Sequence, residues 1–239
     1  IIVRLAPAGV FCLIARTFST EGVEAFVPLA KYFLCVVAAL AVHAIATYSF
    51  LLKLFGGLSP TIFFIKMRAA QLFAFSTASS NATIPVTLES VKNRLGVDNS
   101  VASFTVPFGA TINMDGTAIM QGVATVFIAQ VYGVDLSLGD FLAVIMTATL
   151  ASIGTAGVPG VGLIMLAMVL QQVGLPVEGI ALIIGVDRLL DMMRTAVNIT
   201  GDAAVTCVIA KSEGCLNVKR YADPSAGLAP LEKPLTPNR

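Results

Sequence analysis

Charge is what this chain of 239 residues lacks most: 12% of it is Asp, Glu, Lys or Arg, against 56% hydrophobic residues and a mean hydropathy of +0.88. A soluble domain carries about 25% charged residues, so an ordinary water-facing surface is excluded and an integral membrane protein is indicated. Net charge is equally scant. Lys+Arg 15 against Asp+Glu 14 leaves +1, too little to gather nucleic acid by a bulk field. Histidine occurs once, His43, inside an apolar helical run, where it reads as a packed residue rather than a ligand. The four cysteines (Cys12, Cys35, Cys207, Cys215) are scattered with no CxxC pair. That excludes a recognisable disulfide framework or thiolate metal site and leaves small buried hydrophobes. No amino-terminal signal peptide is visible. The chain opens in mid-pattern at Ile1 without a methionine, as a truncated piece would.

The few charges that are present fall where they cost most. An apolar run over residues 180–210 contains Asp187, Arg188, Asp191, Arg194 and Asp202. At about 100° per residue, Asp187, Asp191, Arg194, Asn198 and Asp202 lie within a stripe roughly 80° wide on one helix face. Five charges facing lipid at mid-bilayer would cost on the order of 12–17 kcal/mol. The stripe therefore faces a protein interior or a water-filled cavity, as a site for a charged or zwitterionic ligand.

The remaining pattern predicts an all-α integral membrane fold. Residues 1–22 are apolar, interrupted by Arg4 and Pro7, and read as the remnant of a scaffold helix. Residues 23–55 are long enough to cross a core of about 30 Å with tilt. Gly56-Gly57 and Ser59-Pro60 mark a turn. Two short helices over 61–75 and 85–95, joined by a Ser/Thr-rich loop at 76–83, form a first re-entrant hairpin within 60–96. Residues 101–132 form a spanning helix broken at Asn113-Met-Asp-Gly-Thr117. A second hairpin occupies 137–174, its arms at 140–151 and 158–173 joined by Ser152-Ile-Gly-Thr-Ala-Gly157 and capped by Pro159-Gly160. The polar final helix covers 176–211. Residues 23–211 thus form one transport domain, and 212–239 a polar, proline-bearing, disordered cytoplasmic tail. Paired interrupted segments in corresponding positions point to an inverted-repeat transporter core, because irregular backbone at membrane depth survives only in protein or beside a cavity.

Loop charge supplies an orientation. Lys53, Lys66, Arg68, Lys92, Arg94 and Lys211 lie toward one side, while the connections at 132–140 and 174–179 contain no Lys or Arg. The positive-inside rule then brings the first hairpin in from the cytoplasm and the second from outside, with a cytoplasmic carboxy terminus.

A helix broken at Asn113-Met-Asp-Gly releases main-chain carbonyls. With the carboxylates of Asp115 and Asp202 they make a hard-oxygen set suited to sodium rather than to a transition metal. The plainer alternative is a glycine kink whose aspartate caps a half-helix. Arg194 offers a planar fork matched to a carboxylate; its alternative is a structural ion pair with Asp187 or Asp191. Asp191, one turn earlier, is placed to hold an ammonium group. The hairpin tips expose amides and hydroxyls suited to a second carboxylate.

Four motifs in order, Ser79-Ser-Asn-Ala-Thr-Ile-Pro-Val-Thr87, Gly109-Ala-Thr-Ile-Asn-Met-Asp-Gly-Thr117, Ala151-Ser-Ile-Gly-Thr-Ala-Gly-Val-Pro159 and Asp191-Met-Met-Arg-Thr-Ala-Val-Asn-Ile-Thr-Gly-Asp202, resemble the glutamate transporter (dicarboxylate/amino acid:cation symporter) family. The resemblance is to its prokaryotic members above all and covers residues 1–218. It implies a sodium-coupled symporter of aspartate or glutamate, not an enzyme, with no cofactor beyond co-transported sodium. It implies a multi-pass location in the plasma (inner) membrane, contact with membrane lipid, a homotrimer and elevator-type alternating access. Arg194 would take the side-chain carboxylate of the substrate and Asp191 its α-amino group. Asn198, Thr195, Thr117, the tip serines Ser79 and Ser80 and the backbone of Val158 would complete the pocket. One sodium would bind Gly109, Asn113, Asn198 and Asp202. A second would bind Thr111, Ser152, Ile153 and Thr155 near Met114. A third would use Asn113 and Asp115 with groups on an earlier helix. The second hairpin would be the extracellular gate. The family has eight spanning helices and this chain begins at the fifth, so an incomplete fragment lacking most of the scaffold is expected. Where many members place a second arginine by the pocket, this chain has Ala78 and Met192, leaving Arg188 nearby. Dicarboxylate-only relatives often lack an aspartate at position 191, so its presence favours an acidic amino acid over the alternative of succinate, fumarate or malate.

Two readings of other classes compete. In an intramembrane aspartic protease, Asp115 and Asp202 would share a proton, and Thr200-Gly201-Asp202 faintly resembles such a motif. That reading leaves Arg194, Asn198 and both hairpins without a role. A purely structural or channel-forming bundle is the other.

Overall fold

The computed structural model describes residues 26–227, and those residues are helical throughout apart from turns and one isolated bridge, Val97↔Leu216. The segment read as a scaffold remnant, with Cys12, and the tail beyond Gly227 lie outside the described residues.

The first rod is built from α1 (Phe26–Val42), a single π-helical turn (His43–Thr47) and α2 (Tyr48–Leu54). Val27–Leu54 has a mean hydropathy of 2.0 and is the one described helix long and apolar enough to cross a membrane by length and composition. Only 17% of its most apolar window is buried, with Leu34, Val42, Ile45 and Phe50 pointing outward. Apolar residues on an outward face are what a lipid-contacting rod needs.

Two helix–turn–helix units flank the broken helix. In the first, α3 (Pro60–Thr77) begins with proline at its first turn, where a missing N–H costs nothing, and packs against α4 (Ser80–Glu89), which continues through a π turn at Ser90–Arg94. The predicted loop at 76–83 is far shorter than expected. Ala78 closes α3 in the left-handed region (φ 51°), and the Ser79 hydroxyl accepts from the Ala82 N–H at 3.2 Å to start α4. Ser, Asn and Thr favour loops and N-caps alike, and here the cap wins, so Ser80 to Thr83 are helical. In the second hairpin, α7 (Leu138–Ile153) starts at a capping box between Ser137 and Asp140, and α8 (Val161–Gln172) follows an irregular tip that ends at Gly160, φ 83°.

Between the hairpins, α5 (Asn99–Ile112) and α6 (Asp115–Val131) are the two halves of the broken helix. After a short 3-10 turn, α9 (Ile180–Ser212) runs for 33 residues as the central element. It threads two separate cores. Phe63, Met67, Leu95, Ile199 and Cys207 belong to the core of the first hairpin; Met120, Val144, Leu166, Ile183 and Leu190 belong to that of the second. The polar stripe of α9 lies where these cores meet.

The expected disordered tail is ordered as far as Gly227. Composition alone missed its backbone pairing: Asp98 N–H donates to the Cys215 carbonyl at 2.9 Å and Asn217 N–H to the Gly96 carbonyl at 2.8 Å. A short α10 (Val218–Ala222) then closes over the base of the first hairpin. Lys66, expected as a loop charge, is instead 1% exposed and donates to the carbonyls of Arg94 (2.7 Å), Arg220 (2.6 Å) and Tyr221 (2.9 Å). Three carbonyls disperse one ammonium charge that has no buried carboxylate partner among its hydrogen bonds.

Replacing Lys66 by Met leaves those carbonyls without a donor, a cost of about 1–3 kcal/mol. Lys66→Met is therefore expected to lower the thermal midpoint in detergent and to speed tryptic cleavage at the surface residues Lys219 and Arg220 by loosening their helix. An unchanged midpoint with an unchanged digest would show that the lysine does not hold this segment.

Candidate functional site

The site begins where the backbone leaves its helix. Asn113 (φ −99°, ψ 86°) and Met114 (φ −117°, ψ 46°) separate α5 from α6. The freed groups are met by the polar stripe of α9. Asn113 Nδ2 donates to Asp202 Oδ1 at 2.9 Å and to the Asn198 carbonyl at 3.3 Å. The Gly116 N–H donates to Asn198 Oδ1 at 2.8 Å, and Asn198 Nδ2 approaches Met114 Sδ at 3.2 Å. Such proximity needs glycine. A Cβ on Gly109 would stand 2.6 Å from Asp202 Oδ1, and one on Gly201 would stand 2.7 Å from Asn113 Nδ2.

Asp202 Oδ2 is buried and has no hydrogen-bond partner. A buried carboxylate oxygen without a donor, at a break in the helix, is a corner whose chemistry suits a small hard cation. Among the described residues no group of three or more His, Cys, Asp or Glu is placed to hold a metal.

Asp115 is the first residue of α6, its Oδ1 accepting from the Gly116 N–H at 2.9 Å. Its other oxygen meets His43, expected from sequence as a packed residue, and Tyr48, for which the sequence carries no signal. His43 Nε2 lies 2.7 Å from Asp115 Oδ2, and the Tyr48 hydroxyl donates to the same atom at 2.5 Å and approaches the Val197 carbonyl at 3.0 Å. His43 is thus hydrogen-bonded across the fold rather than simply packed. An i,i+5 pair lies about 140° apart on a regular α-helix, so spacing gave no warning. The π turn, closing i→i+5 bonds, is what turns both side chains to one face.

Farther along α9, Arg194 is 1% exposed, with Nη2 2.9 Å from Asp191 Oδ1 and Nη1 3.2 Å from Asp187 Oδ1. Only the first pair has hydrogen-bond alignment; Arg194 Nε and Nη1 have no hydrogen-bond partner. The guanidinium therefore lies between both carboxylates that sequence offered as alternatives. Asp191 Oδ2 also accepts from the Gly160 N–H at 2.9 Å, which joins α9 to the tip of the second hairpin. The two tips meet each other: the Ser79 hydroxyl and the Asn81 N–H both donate to the Gly157 carbonyl, at 2.7 and 3.1 Å.

A closed crevice of about 10 Å³, hardly more than one water, lies at this junction, lined by Ser80, Met114, Thr117, Thr155, Val158, Asp191, Thr195 and Asn198 among others. The expected substrate residues are therefore gathered, with two exceptions. Arg194 sits behind Asp191 against Gly162, where a Cβ would stand 3.4 Å from both Nη atoms, and Ser79 is spent on the contact between tips. Within the set Thr111, Ser152, Ile153 and Thr155 the one hydrogen bond is a backbone turn, Thr155 N–H to the Ser152 carbonyl at 3.2 Å, and no side chain joins two members. The three hydroxyls donate to their own helical carbonyls at Pro107, Thr149 and Ala151, and Thr111 and Ile153 are exposed.

A sequence profile of the Sodium:dicarboxylate symporter family matches residues 1–212. Excitatory amino acid transporter 3 of Mus musculus is 44% identical over 212 residues, covering 88% of this chain and 40% of the relative. The Proton/glutamate-aspartate symporter of Escherichia coli (strain K12) is 42% identical over 212 residues, covering 89% of this chain and 48% of the relative. The Proton/sodium-glutamate symport protein of Geobacillus stearothermophilus is 38% identical over 221 residues, covering 92% and 52%. The chain thus spans about half the length of these relatives or less.

The hydrogen-bond pattern at the break predicts a non-additive pair. Asn113→Ala strips the donor from a buried carboxylate and is expected to cost about 2–3 kcal/mol, whereas removing both partners in Asn113→Ala/Asp202→Ala costs less than the two single changes added. Thermal unfolding of the four proteins in detergent measures this. Strictly additive losses would mean that the two side chains do not interact.

Proposed function

The chain belongs to the sodium:dicarboxylate symporter family, and from that premise we propose that it carries an acidic amino acid, aspartate or glutamate, across the membrane together with sodium. The relatives' names support the substrate class and admit protons as well as sodium as the coupled ion. The observation that carries the reading is the position of Asp191. One of its oxygens holds the buried Arg194 fork and the other holds the Gly160 amide of the second hairpin.

In this reading a substrate ammonium takes the place of those donors on Asp191, and a substrate carboxylate takes the released face of Arg194. Asp187 keeps Arg194 from being a bare buried charge while Asp191 changes partner. Thr117, Thr195, Asn198, Ser80 and the Val158 backbone shape the rest of the pocket, with Ser79 locking tip to tip. Arg194 argues against neutral amino acids, which would leave its guanidinium without a carboxylate from the substrate.

Sodium enters as cargo. The open Asp202 Oδ2, with the backbone at Gly109, Asn113 and Asn198, would take one ion. The Asn113–Asp115 set would take another. A further ion at Thr111, Ser152, Ile153 and Thr155, beside Met114, requires those hydroxyls to turn from their own helices, so it belongs to a rearranged second hairpin. Re-entrant hairpins, a cytoplasmic carboxy terminus, a 23–211 transport domain, a homotrimer and elevator-type movement complete the proposal. The second hairpin then acts as the gate, since one side-chain contact, Asp191 to Gly160, ties its tip to α9.

Uptake of labelled aspartate, glutamate and succinate into proteoliposomes, with sodium or choline outside, tests the reading. Sodium-dependent uptake of aspartate or glutamate is expected, and Asp191→Ala should abolish it. Succinate uptake unaffected by Asp191→Ala, with no aspartate transport, would instead favour the C4-dicarboxylate alternative.

A further inference from the structure

We propose that His43 and Tyr48, presented by the π turn and keyed by Thr47, are positioning residues that fix the Asp115 carboxylate as a single-oxygen ligand for a small cation. The inference rests on the sodium reading of Asp115 above and goes beyond it by assigning work to the first rod, which that reading left unused.

The argument starts from lone pairs. An ionised carboxylate offers about four acceptor positions, two on each oxygen. On Oδ2 of Asp115 both are matched by donors, His43 Nε2 at 2.7 Å and the Tyr48 hydroxyl at 2.5 Å. On Oδ1 one is matched, by the Gly116 N–H at 2.9 Å. One position remains, on Oδ1. A cation at Asp115 therefore meets one oxygen of a carboxylate that cannot turn to present the other.

The donor on His43 is itself determined. A carboxylate oxygen only accepts, so His43 Nε2 carries the proton, and in a neutral ring Nδ1 is then the acceptor. Thr47 Oγ1 lies 3.2 Å from Nδ1, and as donor there it selects that tautomer. Such partners behind a ligand typically set metal affinity by 10–100-fold. Their placement depends on the extra residue of the π turn at His43–Thr47. His43 and Asp115 are each part-buried, both side chains at 23% exposure. Tyr48 also reaches the Val197 carbonyl at 3.0 Å, one residue before Asn198, whose carbonyl accepts from Asn113. The rod, the broken helix and α9 are thus joined at the atoms that would meet the ion.

The test uses the full chain in proteoliposomes and reads the sodium concentration that half-saturates aspartate uptake. Tyr48→Phe and His43→Leu are each expected to raise it by about 10–100-fold, with the aspartate dependence at saturating sodium unchanged. His43→Gln, whose amide nitrogen can reach Asp115, should recover most of the loss. Thr47→Val, which removes one hydroxyl, should produce a smaller rise in the same direction. A packing role alone would lower the amount of uptake in Tyr48→Phe and His43→Leu with the half-saturating sodium concentration unmoved, and that result overturns the proposal. Should His43→Leu not fold, Tyr48→Phe and Thr47→Val decide in the same way. Asp115→Asn separates the levels of failure. If it shifts the sodium dependence and the clamp variants do not, only the clamp is wrong; if it shifts nothing, the sodium reading of Asp115 falls and the clamp with it.

Discussion

The fold depends on one constraint: charged groups buried in an apolar chain must find partners inside it. Arg194 lies between Asp187 and Asp191 on its own helix, while Asp191 is also held by the Gly160 amide where a hairpin turns and Asp202 by Asn113 where a helix stops. An unpaired charge in a low-dielectric interior is costly, so the broken backbone at Asn113–Met114 and the irregular tip at residues 154–160 are as necessary as the charges they serve. Neither would be stable in lipid without the other.

This constraint explains why two hydrophobic cores flank the site rather than one core enclosing it. Each hairpin packs with its own half of α9, and the polar stripe occupies the seam. The halves are fastened unequally. The first hairpin is anchored at its base by Lys66, Arg220 and Tyr221 and at its tip by Ser79. The second is fastened at its tip by the Asp191 contact with Gly160 and by Gly157. On the proposed reading, a ligand that competes for Asp191 would release the Gly160 contact at the tip of the second hairpin.

Much of this was legible because the chain is so apolar. Asp187 to Asp202 stood out as an energetic anomaly, and the break at Asn113–Thr117 was marked by Asn, Asp and Gly inside a spanning run. Other parts were not legible for physical reasons. His43 was a lone histidine in an apolar helix, and its partnership with Tyr48 depends on a π turn that no periodicity announces. The short tip at Ala78–Ser79 was hidden because Ser, Asn and Thr serve equally as loop and cap. Lys66 reads as loop charge until its ammonium is found among three carbonyls, and the order of residues 213–227 comes from backbone pairing that composition does not record. Arg194 was offered one partner or the other, whereas the geometry places it between both.

The central claim is that substrate and cation share one electrostatically closed site. Equilibrium binding of aspartate to the purified chain, measured across a range of sodium concentrations at constant ionic strength, tests it most directly. If one sodium binds with the substrate, the dissociation constant should fall about tenfold for each tenfold rise in sodium, and more steeply if further ions bind. An aspartate affinity unchanged when choline replaces sodium would contradict the account.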